Sequence, residues 1–263
     1  MYNQELNDRW VDKLRATVAG KRVLMVGNST TMFSKKWGDM IDSYDFVVRF
    51  GKGIPYSEYS EYLGTKTDLW FFGTGRAGMW KDWKKVPFKL FTMAQINIYN
   101  PDRHEYAIHR DMMDGTIHAY RDFFIAGTSK DAVQASKDIN GDEPDARISQ
   151  GAQCIHYFAN HIKTYKSIDL VGFDFFGSGF TYNYETDLPR VPKHQPTTSW
   201  HMPLVSKAYD ENPHSKNGNE ERYIRSVPNL YVHEMPPIDM QKMEMVLKRL
   251  RGTKATITGD KHE

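Results

Sequence analysis

Residues 21–29, Lys-Arg-Val-Leu-Met-Val-Gly-Asn-Ser, decide the fold class of this chain. Four apolar residues, Val23–Val26, run without a polar break into Gly27-Asn28-Ser29. A strand covered on both faces reads as such an unbroken apolar run, and a small-residue turn ends it. Upstream, Leu6, Trp10, Leu14 and Val18 stand four apart, which predicts an amphipathic helix over 4–18 that Gly20 stops. Downstream, Asp45–Phe50 and Asp68–Phe72 read as two more strands, Phe88–Thr92 as a fourth, and Ile96–Tyr99 as its continuation or sequel. Helices alternating with buried strands indicate an α/β fold: a Rossmann-like, mostly parallel sheet flanked by helices.

Farther along, 102–145 reads as helices and loops. Ser149-Gln150-Gly151 opens a helix whose apolar face is Ile155, Phe158, Ala159 and Ile162. The apolar run Ser167–Phe176 then reads as a strand ending in Gly-Ser-Gly. Residues 177–220 carry Gly, Pro, Asn, His and Tyr with little periodicity, the pattern of an irregular lid or acceptor segment. A last helix is expected at Met240–Arg251. No repeat or linker divides the chain, so a single domain over 1–263 is expected.

Composition narrows the function classes. Thirty-five basic against 33 acidic residues give a net charge of +2, too small to announce a nucleic-acid binder, although a local patch can hide in the sum. One cysteine, Cys154, excludes an internal disulfide. The polar N-terminus lacks a signal-peptide core, and no run reaches the roughly 18 apolar residues of a membrane span. A cytoplasmic protein is expected.

Four features can carry chemistry. The Gly27-Asn28-Ser29 turn presents backbone N–H groups at a sheet's carboxyl edge, where nucleotides bind, although it matches neither GxGxxG nor GxxxxGK[ST]. Ser149 can cap its helix, whose first N–H groups form an anion site. Asp174, in Gly172-Phe173-Asp174, sits past a strand's end and can accept from a ribose or base, or cap a loop. Among His194, His201 and His214, one can act as a base at neutral pH. No zinc pattern, no Gly-x-Ser-x-Gly elbow and no Asp-x-Asp pair occurs, so no metal site is expected. The missing glycine-rich fingerprint also argues against a dinucleotide-binding oxidoreductase.

In their order, these pieces resemble the sialyltransferases of glycosyltransferase families 29 and 42. VGNS followed by IDSYDFVVRF is similar to the large sialyl motif, and Ser149-Gln150-Gly151, helix, strand and Gly172-Phe173-Asp174 to the small one. His214-Ser-Lys-Asn217 resembles the histidine-bearing segment of the bacterial enzymes. The likeness spans 21–51 and 147–225. It implies a metal-independent, inverting glycosyltransferase of the sialyltransferase-type GT-A variant, using a CMP-type nucleotide-sugar and no other cofactor; a UDP-type donor is the alternative. Gly27, Asn28, Ser29 and Arg49 would then bind the donor, Asn28 at its phosphate or ribose. Ser149, Gln150 and Gly151 would hold phosphate, and Gly172, Phe173 and Asp174 would border the cytidine. His214 would be the general base and Tyr182 a hydrogen-bond donor to the departing phosphate.

Departures from the pattern bear on the sugar. Arg49-Phe-Gly51 replaces Arg-x-Asn, Gln150 stands where the family has Ser or Thr, and Phe176 stands where bacterial relatives have a phosphate-binding tyrosine. The donor sugar therefore need not be sialic acid, and a binding module without activity is a further alternative. Two acceptor classes are expected, a glycan or DNA. DNA, as in a phage enzyme that glycosylates hydroxylated or hydroxymethylated cytosine, rests on Trp80, Lys81, Trp83, Lys84 and Lys85, where cations and aromatics interleave.

Overall fold

The computed structural model describes residues 4–50, 59–73, 91–95, 123–125, 129–141, 148–175 and 218–236. Helix α1 spans Gln4–Val18 and leads into strand β1, Arg22–Val26. A 3-10 turn at Thr30–Ser34 and helix α2, Gly38–Asp42, precede β2, Phe46–Phe50. Then come α3 (Ser60–Leu63), β3 (Leu69–Gly73), β4 (Phe91–Gln95), β5 (Phe123–Ile125) and α4 (Ser129–Asn140). Helix α5, Gln150–Tyr157, widens into a π-helical turn over Phe158–Ile162 and is followed by β6, Ser167–Val171. Helix α6 (Asn219–Ser226) and β7 (Leu230–Val232) complete the described elements.

The strands form one seven-stranded sheet in the order β5-β4-β3-β2-β1-β6-β7, and every neighbouring pair is parallel. Strand β1 lies inside the sheet with β2 on one side and β6 on the other, in register Val23↔Phe46 and Val23↔Ile168. Its continuous apolar run follows from that placement. Val23 and Met25 join Phe46, Val48 and Leu170 in a core covered by α1, α4, α5 and α6, while Leu24 and Val26 face a second core with Val47, Val171, Phe33 and Ile41. Because a side chain alternates faces at each residue, a strand in the middle layer must be apolar at every position.

The sequence reading holds for α1, whose Leu14 and Val18 are fully buried, and for the strands at β1, β2 and β3, whereas β6 ends at Val171, well short of the expected Phe176. The fourth strand lies three residues later than expected, at Phe91–Gln95 rather than Phe88–Thr92. The stretch read as helices and loops contains strand β5, only three residues long. Helix α6 begins at the end of the segment read as irregular, and β7 was not expected. The proposed last helix, Met240–Arg251, lies outside the described residues.

Sheet order places the candidate chemistry. From β1 the chain winds outward through β2 to β5, then returns to build β6 on the other side of β1. The winding reverses between β1 and β6, and the turns after these two strands lie together at the carboxyl edge, the crevice position where open α/β sheets bind ligands. Gly27 and Gly172 are the first residues past those two strands. Among the described residues, no helix is long and apolar enough to cross a membrane.

Candidate functional site

The two turns at the crevice lie against each other. Gly27 N–H donates to Val171 O at 2.7 Å and Ser29 N–H to Gly172 O at 3.2 Å. A Cβ on Gly27 would stand 2.2 Å from Gly172 O, and one on Gly151 would stand 2.7 Å from Cε1 of Phe173. Gly172 takes a left-handed φ of 73°, which a side chain would strain. The Phe173 ring thus sits in a space left open by two glycines, with its edge against Phe50 at 5.7 Å between centroids. Three motifs separated by up to 145 residues meet here: Gly27–Ser29, Ser149–Gly151 and Gly172–Asp174.

The polar groups of the site divide into those already partnered and those left for a ligand. Ser29 is buried; its hydroxyl donates to Asp174 Oδ2 at 2.8 Å and accepts Thr31 N–H at 3.2 Å. Because a carboxylate has no proton to give, the single Ser29 proton goes to Asp174 and Thr31 Oγ1 donates to Ser29 Oγ. The Ser29 side chain is thus spent inside the protein, where it aims Asp174.

Arg49, expected at the donor, is also engaged within the protein. It has no exposed surface; Nε donates to Lys66 O and Thr67 Oγ1, and Nη2 to Leu63 O at 2.6 Å. Asp42 grips the same loop through Thr65 and Lys66 backbone N–H groups. Arg49 thus ties β2 to the 63–67 loop that leads into β3.

Asn28 is held by one end. Its Nδ2 donates to Phe50 O at 3.2 Å, and Oδ1 is buried without a partner. Since Phe50 O is an acceptor, the amide nitrogen must face it, leaving an acceptor for the crevice. A phosphate oxygen cannot donate to that atom, but a ribose hydroxyl or a base amine can. Of the two contacts expected for Asn28, the ribose one is the one this geometry suits.

Ser149 caps α5, its hydroxyl accepting Ala152 N–H at 3.1 Å. Its other contacts are to a residue that the sequence reading missed. Glu220, on the first turn of α6, accepts Ser149 N–H on Oε1 at 2.5 Å and lies 2.8 Å from Ser149 Oγ on Oε2. Burial pushes Glu220 up to about 8, against the opposing effect of both Ser149 contacts. This internal acid takes the N–H of the cap residue itself; the Gln150 and Gly151 N–H groups remain at the helix end, where the dipole favours an anion. In sequence, Glu220 closes the segment read as irregular, and nothing there marks it as buried.

His214 and Tyr182 lie outside the described residues, as do Trp80, Lys81, Trp83, Lys84 and Lys85. Cys154 is fully buried, and burial pushes its thiol up, so it offers no nucleophile.

Comparisons with known proteins agree with this architecture. Residues 12–137 match the model of glycosyltransferase family 29, described as sialyltransferase. A mammalian sialyltransferase solved in complex with Gal-beta-1-3GalNAc-ortho-nitrophenol is 16% identical, with 89% of this chain and 80% of that one covered and a TM-score of 0.53. A further structure of a mammalian sialyltransferase is 14% identical over 90% of this chain and 87% of that one, with a TM-score of 0.52. At those identities the likeness to the solved structures is one of fold. No curated protein sequence matches the chain. The matched range holds the Gly27–Ser29 turn and ends before Ser149; the second and third motifs enter through the geometry of the crevice.

Proposed function

We propose that this chain, a sialyltransferase-like glycosyltransferase, transfers its sugar from a CMP-type donor to a glycan hydroxyl with inversion at the anomeric carbon, needing no metal. The observation that carries the reading is the meeting of three motifs at the sheet's switch point, fastened by the Ser29–Asp174 bond and the Phe173 ring. The switch point is where a nucleotide binds in such sheets. Asn28 Oδ1 supplies an acceptor for a ribose hydroxyl, and Asp174 lies beside it for the sugar or base.

The chemistry follows from charge. Departure of a nucleoside monophosphate through an oxocarbenium-like state adds negative charge to the phosphate, which must be met by fixed donors. The N–H groups of Gln150 and Gly151 at the start of α5 serve there, with the Tyr182 hydroxyl as a second donor. His214 takes the proton from the acceptor hydroxyl as it attacks. Such a base contributes about 10² to 10⁴ in rate. The disaccharide in the mammalian structure supports a glycan as the acceptor class.

A thermal-shift series with CMP, UMP, UDP and GDP tests the donor. A ligand at a hundred times its Kd stabilises by about 2.7 kcal/mol, which raises the melting point of a chain this size by roughly 5–10 °C. CMP is expected to give the largest shift. A shift from UDP or GDP with none from CMP overturns the cytidine assignment, and no shift from any nucleotide overturns the transferase reading of the crevice.

A further inference from the structure

Glu220 is 3% exposed, and its carboxyl spans the backbone and the hydroxyl of Ser149. The hydrogen-bond count at Ser149 Oγ then depends on where one proton resides. With Glu220 ionised, Oε2 can only accept, so the single Ser149 proton is given to it and none is left for a ligand. With Glu220 protonated on Oε2, the acid donates to Oγ. The two lone pairs of Oγ are then filled by Glu220 and by Ala152 N–H, and the Ser149 proton is released to point away from both. The direction left to it is the open end of α5, beside the Gln150 and Gly151 N–H groups.

We propose that Glu220 is a positioning residue whose protonation turns the Ser149 hydroxyl onto the donor phosphate, so that nucleotide binding takes up one proton. This rests on the nucleotide reading above and deepens it. Burial pushes Glu220 up to about 8, so both of its forms are populated near neutral pH. Among the described residues, Ser149 is the one side chain whose contact acts on that proton. The other ionisable groups described on the packed elements are engaged elsewhere. Asp138 of α4 meets His156 of α5, Arg225 meets Glu221 and Glu234, and Arg222 meets Asn219. Asp174 receives Ser29, the Tyr223 hydroxyl receives Asn160 and stacks its ring on His156, and Lys137 is exposed on the outer side of α4.

The test is calorimetric titration of CMP between pH 7 and 9.5, with cytidine as the phosphate-free control. A phosphate monoester has its second pKa near 6, so CMP carries one charge state over nearly the whole window. In the wild type, CMP affinity is expected to fall about ten- to a hundredfold across it, the worth of one hydrogen bond to a charged group, while cytidine affinity stays level. Buffers of different ionisation enthalpy should register a fraction of a proton, roughly 0.5–0.8, taken up per CMP, with its maximum at about pH 8.5–9.

Glu220→Gln places an amide N–H on Ser149 Oγ and a carbonyl on Ser149 N–H, the pattern of the protonated acid. It is expected to bind CMP tightly with no pH slope. Ser149→Ala is expected to bind weakly, also without slope. A level CMP titration in the wild type, or an unchanged slope in Glu220→Gln or Ser149→Ala, overturns the proposal while leaving the nucleotide site standing. Absence of CMP binding at every pH overturns the nucleotide reading itself, so the two failures are told apart.

Discussion

Replacing Gly27 by Ala tests whether the contact between the two turns is what assembles the proposed donor site. The added Cβ would stand 2.2 Å from Gly172 O, 2.7 Å from Gly172 C and 2.9 Å from Cδ2 of Phe173. Ordinary contact needs about 1 Å more, and the opposing atoms are backbone, so the turns after β1 and β6 must part. Overpacking of this kind costs about 1–3 kcal/mol, which at roughly 2–4 °C per kcal/mol lowers the melting point by several degrees. Separation also stretches the Ser29–Asp174 bond of 2.8 Å and shifts Asn28. CMP affinity, read by titration, is therefore expected to fall by more than tenfold.

A control comes from Gly141, which has a φ of 66° and open space around its Cβ position. Gly141→Ala incurs left-handed strain of about 1–2 kcal/mol with no clash and no link to the crevice. It should melt lower and bind CMP as the wild type does. The reasoning is refuted if Gly27→Ala melts and binds like the wild type, or if both variants lose stability and affinity in the same proportion.

Four further outcomes are expected. Arg49→Met removes the bonds to Leu63, Lys66 and Thr67 and should lower unfolding stability by about 3 kcal/mol in denaturant titration; lost CMP affinity at unchanged stability would return Arg49 to the donor surface. Asn28→Ala should weaken CMP and cytidine alike by about tenfold, as a lost ribose or base contact does, whereas loss confined to CMP would mean a phosphate contact. His214→Ala should lower turnover by about 10² to 10⁴ at nearly unchanged CMP affinity, and loss of both together would make His214 a donor-site residue. Glu220, raised from 4.5 to about 8 by burial, binds its proton more tightly when folded than unfolded. The sign follows: folded stability falls as pH rises from 4.5 to about 8, and Glu220→Gln should flatten that slope in chemical denaturation.

What could be read from sequence follows from how strongly burial marks the residues. β1, β2, β3 and β6 are apolar at most positions because helices cover both sides of the sheet, and that pattern needs no partner to be seen. Strand β7 has half-exposed Leu230 and Val232 around Tyr231, 58% exposed, at the sheet's edge, so its apolar signal is weak. Helix α6 begins after Gly218 without a side-chain cap and turns mainly Ile224 into the core, so neither a start signal nor a periodic stripe announces it. The three motifs were visible singly, and their order suggested one site. Which of their hydroxyls and guanidinium groups remain free was not visible: Ser29, Arg49 and Ser149 find partners 14 to 145 residues away. Such long-range pairings leave no local trace.

The position of β1 between β2 and β6 also sets an order of assembly. Strands β1 to β5 are in hand once about half the chain is made, but the five-residue pairing of β1 with β6 closes a loop of 145 residues. Closures that long are slow relative to local contacts. Until Ser167–Val171 arrives, the apolar β1 presents an open edge of unpaired N–H and C=O groups, a template for another chain. A fragment ending near residue 137, where the family match ends, carries that open edge permanently and should aggregate. The strand that carries the Gly27–Ser29 turn is thus also the seam on which productive folding of the nascent chain depends.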